Sequence, residues 1–159
     1  MRHAALCVAV FLLAGCKDNG IVTPTPIPVD RLLEVPTTIV ADGKSLYLAT
    51  ELWRNFMPGA SSTALIALAY VSTADSSQFP ATVSADALWI VYNTEVWSSY
   101  FTDQQIPPDP QRPDRYARIA RGGPLWTPGA KVDIIVRVYD GLHRSHLLRA
   151  TEQPIGAPE

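Results

Sequence analysis

His143 and His146 stand three residues apart, a spacing that on a helix puts two imidazoles on one face, where they would suit a metal ion. They follow Asp140-Gly141, a turn signal, and lead into a run of strand character, where residues three apart point to opposite faces. No cysteine lies near them to complete a zinc shell, so no metal site is expected. No Gly-x-Ser-x-Gly elbow frames a serine, and the acidic residues fall singly rather than as a pair. Gly122-Gly123-Pro124 is too short for a phosphate loop, and its proline interrupts the N–H donors such a loop needs. The expectation is a protein without catalytic residues, metal or cofactor, and therefore not an enzyme.

The aromatic residues offer a different chemistry. Sugar CH faces stack on exposed rings, whereas tryptophans in small β domains usually fill the core or cover sheet ends. Of Trp53, Trp89, Trp97 and Trp126, two are expected at the surface. Trp97 precedes Ser98-Ser99-Tyr100, and Trp126 opens a turn sequence. These two are the candidate ligand-binding residues, with a carbohydrate or glycan as the ligand.

The N-terminus carries a more specific signal. Met1-Arg2-His3 is a short basic start, Ala4 to Leu13 is uncharged and apolar, and Ala14-Gly15 supplies small residues before Cys16. That is the layout of a secretory signal. Its apolar run is about half of the roughly 20 residues a spanning helix needs. Leu13-Ala14-Gly15-Cys16 closely resembles the lipobox of bacterial lipoproteins. The resemblance covers the first sixteen residues and implies a thioether-linked lipid on Cys16, with cleavage after Gly15. An aspartate directly after the cysteine would imply retention at the inner membrane. Lys17 stands there instead, with Asp18 one place later, so a lipid-anchored place in the cell envelope, at the outer membrane, is expected.

Composition fits that destination. The chain has two cysteines, Cys7 within the signal and Cys16 at the lipid site, so the folded part has neither disulfide nor thiolate chemistry. Its stability must come from packing. The net charge is −2; residues 17–110 hold 4 Lys/Arg against 10 Asp/Glu, and residues 111–159 hold 8 against 5. A mildly basic last third without a domain-wide excess is a solvated surface, and nucleic acid is not an expected partner.

The elements that would position these residues are mostly strands. Pro24, Pro26 and Pro28 disfavour helix and make 16–32 an extended tether. From Val35 the sequence turns β-branched, and Asp42-Gly43 signals a hairpin. Lys44 to Phe56 fits either period, and the preceding turn decides for a strand. Ala64 to Val71 is almost continuously apolar, as for a strand covered on both sides. Ala87–Tyr92 and Val96–Phe101 flank the turn Asn93-Thr94. Four prolines in 103–114 forbid regular structure there and would suit a protruding reactive loop. Tyr116 to Arg121 is a short strand, and Trp126-Thr127-Pro128-Gly129 has type II turn chemistry. Lys131–Tyr139 alternates, with Val132, Ile134, Val136 and Val138 on one face, and Ser145–Ala150 pairs back.

Seven or eight antiparallel strands make an all-β fold, a β-sandwich over residues 33–155 after a signal peptide at 1–15, with a tail at 156–159. Size and closing hairpin resemble immunoglobulin-like and fibronectin type III-like domains, though the Cys…Trp…Cys pattern of antibody domains is absent. The expected function is that of an envelope lipoprotein with an interaction domain, held at the membrane through Cys16, whose partner is an envelope protein or glycan. A glycan-binding module using Trp97 and Trp126 is one alternative. A protease-inhibitor-like domain presenting 103–114 is the other.

Overall fold

The computed structural model describes residues 22–54, 56, 63–102 and 109–156. The lipid-site cysteine Cys16, the signal and the half of the proline-rich loop at 103–108 lie outside these residues.

The described chain is all-β apart from one helical turn, α1 (Val29–Leu33). Eight strands follow: β1 (Thr38–Ala41), β2 (Lys44–Arg54), β3 (Leu65–Thr73), β4 (Ser84–Tyr92), β5 (Glu95–Tyr100), β6 (Arg115–Gly123), β7 (Lys131–Tyr139) and β8 (Ser145–Gly156). They form one mixed, nearly barrel-shaped sheet in the order β5-β4-β7-β8-β2-β3-β6, with β1 also paired to β2. All pairs are antiparallel except one, the short parallel join of Leu52 and Trp53 on β2 with Ile155 and Gly156 on β8. That join corrects the all-antiparallel expectation. It exists because β8 runs six residues past Ala150, pairing first with β7 and then with β2.

Local chemistry explains the turns. Asp42 (φ 49°) and Gly43 (φ 75°) both take the left-handed region, the geometry of a two-residue type I′ hairpin, and Ala41 pairs with Lys44 across it. Gly129 takes φ 88°, and the Ala130 N–H donates to the Thr127 carbonyl over 3.1 Å, closing a type II turn around Pro128.

The period-two pattern sets the core. Leu46, Leu48 and Leu52 from β2 meet Leu65, Ala67, Ala69 and Val71 from β3, facing Leu88 and Ile90 on β4 and Val132, Ile134, Val136 and Val138 on β7. The ambiguous segment from Lys44 is thus a strand, as its leucines require. β3 differs from expectation, since Ile66, Leu68 and Tyr70 alternate with the buried residues and are only half-buried. Among the described residues its outer face is covered by side chains such as Arg115, whose guanidinium lies 4.4 Å above the Tyr70 ring.

Part of the stretch assigned to the tether is packed against the domain. Pro24 is buried, the Trp89 Nε1–H donates to the Thr25 carbonyl (3.3 Å), and Leu32 is fully buried with Val35 against Ala87, Trp89, Val91 and Ile135. Residues 22–28 carry neither helix nor strand, in keeping with their prolines, but α1 begins directly after Pro28. Proline is well tolerated at the start of a helix, where its missing N–H is no loss. The packed unit therefore begins upstream of residue 33.

Candidate functional site

None of the four tryptophans is fully exposed. Trp126, expected at the surface, is 8% exposed. Its Nε1–H donates to Glu95 Oε2 at 2.8 Å, and its ring tilts against Tyr92 with centroids 5.4 Å apart. Burying an indole requires a partner for its N–H, and Glu95, at the start of β5, supplies it. Trp97 is half-buried and packs on the core, its ring 3.0 Å from the position a Cβ would occupy on Gly123. Glycine is required there because any side chain would strike that ring and the Cβ of Leu65. Trp89 is buried beneath the N-terminal segment, and Trp53 is half-buried. The expected exposure of Trp126 is overturned, and both candidate ligand-binding residues serve packing.

His143 lies in the turn that joins β7 to β8, and His146 lies on β8 itself. His143 is exposed and takes φ 58°, a left-handed position, whereas His146 on β8 lies 3.2 Å from Asp140 Oδ2. Among the described residues no three His, Cys, Asp or Glu side chains are grouped to hold a metal ion. Asp140 is the centre of this turn. Its buried carboxylate accepts from the backbone N–H groups of Leu142 (3.0 Å) and Arg144 (2.9 Å) and from Arg144 Nε (2.8 Å). Burial by itself would raise the pKa of this acid. The bonds from the Arg144 backbone, His146, the Arg144 guanidinium and the Leu142 N–H outweigh burial and hold it well below the usual carboxylate range. A second carboxylate, Asp42, accepts from Gly141 N–H and from the Thr82 hydroxyl, tying the β1–β2 turn to the β7–β8 turn.

Other polar groups are similarly engaged. Arg137 makes a two-pronged ion pair with Asp86 (2.8 and 2.6 Å), and its guanidinium lies near the Trp89 and Tyr139 rings. The described half of the proline-rich loop does not protrude freely. Arg112 grips Asp114 (3.0 and 3.1 Å), Arg115 reaches Asp109 (3.0 Å), and the Pro113 and Asp114 carbonyls accept from Phe79 and Thr73. Of residues 109–114, the Pro113 and Asp114 carbonyls are thus tied to the segment 73–79, and Asp109 and Arg112 accept from the loop's own N–H groups.

Sequence reasoning passed over these carboxylates because each looked like an isolated turn residue. The one local sign was the pair of Asp-Gly dipeptides at 42–43 and 140–141, which the fold brings together although Asp42 and Gly141 are 99 residues apart. No known family model matches this chain, and neither a curated protein nor a solved structure is significantly similar to it.

Proposed function

We propose that this chain is a lipoprotein of the bacterial cell envelope, held at the outer membrane by lipid on Cys16, and that its β domain is a non-enzymatic interaction module of immunoglobulin-like type. The anchor rests on the basic start, the short apolar run and Leu13-Ala14-Gly15-Cys16.

The observation that carries the module is the use made of its reactive side chains. Asp42, Asp86, Asp114 and Asp140 spend their oxygens on turns and strand ends, and Trp89 and Trp126 spend their N–H groups on packing. A domain so arranged offers a rigid surface and not a reacting centre. The immunoglobulin-like assignment is supported by connectivity. β2, β3 and β6 lie side by side, as do β5, β4, β7 and β8, and the chain passes between these groups at β3–β4, β5–β6 and β6–β7. That crossing pattern is what a two-layer Greek key requires.

The anchor is tested by growing cells with a labelled fatty acid. The wild-type chain should carry the label, and Cys16→Ser should lose it and leave precursor or release the domain. Equal labelling of both chains would end the lipoprotein reading.

A further inference from the structure

We propose that β5 is the edge through which two copies of this chain pair, strand to strand, around a two-fold axis at Ser98. This deepens the reading of the domain as an interaction module, on which it rests, and is independent of lipid on Cys16.

β5 and β6 are the two ends of the sheet order, so each has one side without a neighbouring strand among the described residues. The register fixes which groups β5 leaves open. A two-residue connection makes Tyr92 and Glu95 a hydrogen-bonded pair, and alternation makes Ile90–Trp97 and Leu88–Ser99 the next two. The Phe101 N–H continues this rhythm by donating to the Asp86 carbonyl at 2.9 Å. The N–H and C=O groups of Val96, Ser98 and Tyr100 therefore point away from β4. Among the described residues only the Tyr100 carbonyl has a partner on that side, the Ser99 hydroxyl at 2.8 Å. The chain then leaves β5 toward the opposite end of the sheet, where the Thr102 N–H donates to Ile119 of β6.

Open edges are normally defended by charge, proline or a bulge. β6 has such defences: Arg115, Arg118 and Arg121, a register shift against β3, and Gly122 at φ 86°. From Val96 to Phe101, β5 has no charged residue, no proline and no break in register.

The occupant follows from this contrast. Antiparallel pairing of β6 with itself would bring arginines together. Pairing of β5 with itself about Ser98 sets Val96 opposite Tyr100 twice and Trp97 opposite Ser99, with no like charges facing. Val96 and Tyr100 are 39% and 38% exposed and lie on the outer face of the sheet, where an aliphatic–aromatic cross-strand pair is favourable. A two-fold arrangement consumes both edges and closes at a dimer, whereas pairing β5 with β6 would leave ends open for further copies.

The test uses the full-length chain in whole cells under mild oxidation, wherever in the cell the chain resides. Ser98 residues facing each other across the axis would have Cα atoms about 5.5 Å apart, within disulfide reach. Ser98→Cys should give a disulfide-linked dimer several-fold above the wild-type background from Cys7 and Cys16, and Thr151→Cys, at an exposed site elsewhere, should give none above it. Adding Val96→Lys to Ser98→Cys should abolish the band, and Tyr100→Lys should do the same from the other side of the axis. A Ser98→Cys band no stronger than that of Thr151→Cys, or one that persists with both lysines, overturns the proposal. Fatty-acid labelling of the same chains reads the anchor separately, so failure of either idea is told from failure of the other.

Discussion

At the scale of single residues, Asp140 shows how a carboxylate can be structural in a turn that looks chemical. An unfolded aspartate titrates near 3.9, and Asp140 in the fold titrates lower. Between those values the unfolded chain binds more protons, so stability falls as pH falls. The contribution of Asp140 is complete above the ordinary aspartate range and disappears as pH drops through its folded value. Asp75, also held low by Ser77 and Lys44, has the same sign, but its carboxylate is exposed. Melting temperatures from neutral pH down to about pH 2, where an aspartate of the unfolded chain is nearly fully protonated, should decline for wild type. Asp140→Asn should flatten that decline more than Asp75→Asn. Equal slopes in wild type and Asp140→Asn would mean that the acid sensitivity lies elsewhere.

At the scale of elements, α1 is the finding with the clearest energetic consequence. Leu32 is fully buried against Ala87, Trp89, Val91 and Ile135, and truncating a buried leucine typically costs about 2–5 kcal/mol. Leu32→Ala is therefore expected to lower unfolding stability by about 2–3 kcal/mol, the lower part of that range because α1 has one turn and can shift to fill the gap. Denaturant melts of Leu32→Ala against Leu33→Ala, at 38% exposure, decide it, and equal stability would mean the segment is undocked in solution. The strands were largely legible because their cues are local. β7 occupies Lys131–Tyr139 as its alternation requires, and Asp42-Gly43 and Pro128-Gly129 turn where their φ preferences put them. α1 was hidden because three prolines signal an extended chain, and nothing nearby in sequence shows that Trp89, more than fifty residues on, waits to cover it. The burial of Trp126 was hidden for the same reason, since its partners Tyr92 and Glu95 lie over thirty residues away.

At the scale of the whole molecule, β8 holds the two groups of strands together. Ser145–Ala150 pairs with β7, and Ile155-Gly156 joins β2, with Ile155 only 1% exposed in the core. Ending the chain at Ala150 removes the parallel join, that core residue and the pairing of Lys131 and Val132 with Pro154 and Gln153, while leaving the hairpin pairs from Ile134 to Tyr139 in place. The truncated chain should lose its cooperative thermal transition, as read by near-ultraviolet circular dichroism, because neither group of strands keeps a covered apolar face. A sharp transition retained within a few degrees of wild type would show that β1 and the inward side chains suffice to hold the layers.

The docked N-terminal segment has a geometric meaning for a chain fixed to a bilayer at Cys16. A leash of sixteen residues, from 17 to 32, could let a domain wander about 55 Å from its point of attachment, since an extended chain gains at most about 3.3–3.6 Å per residue. With Pro24 buried and Thr25 fastened to Trp89, the seven residues 17–23 could span at most about 23–25 Å. On the proposed anchor at Cys16, such a domain would be a near neighbour of the headgroups, within reach of what is embedded in or lying on the same membrane and too short-armed to search far beyond it.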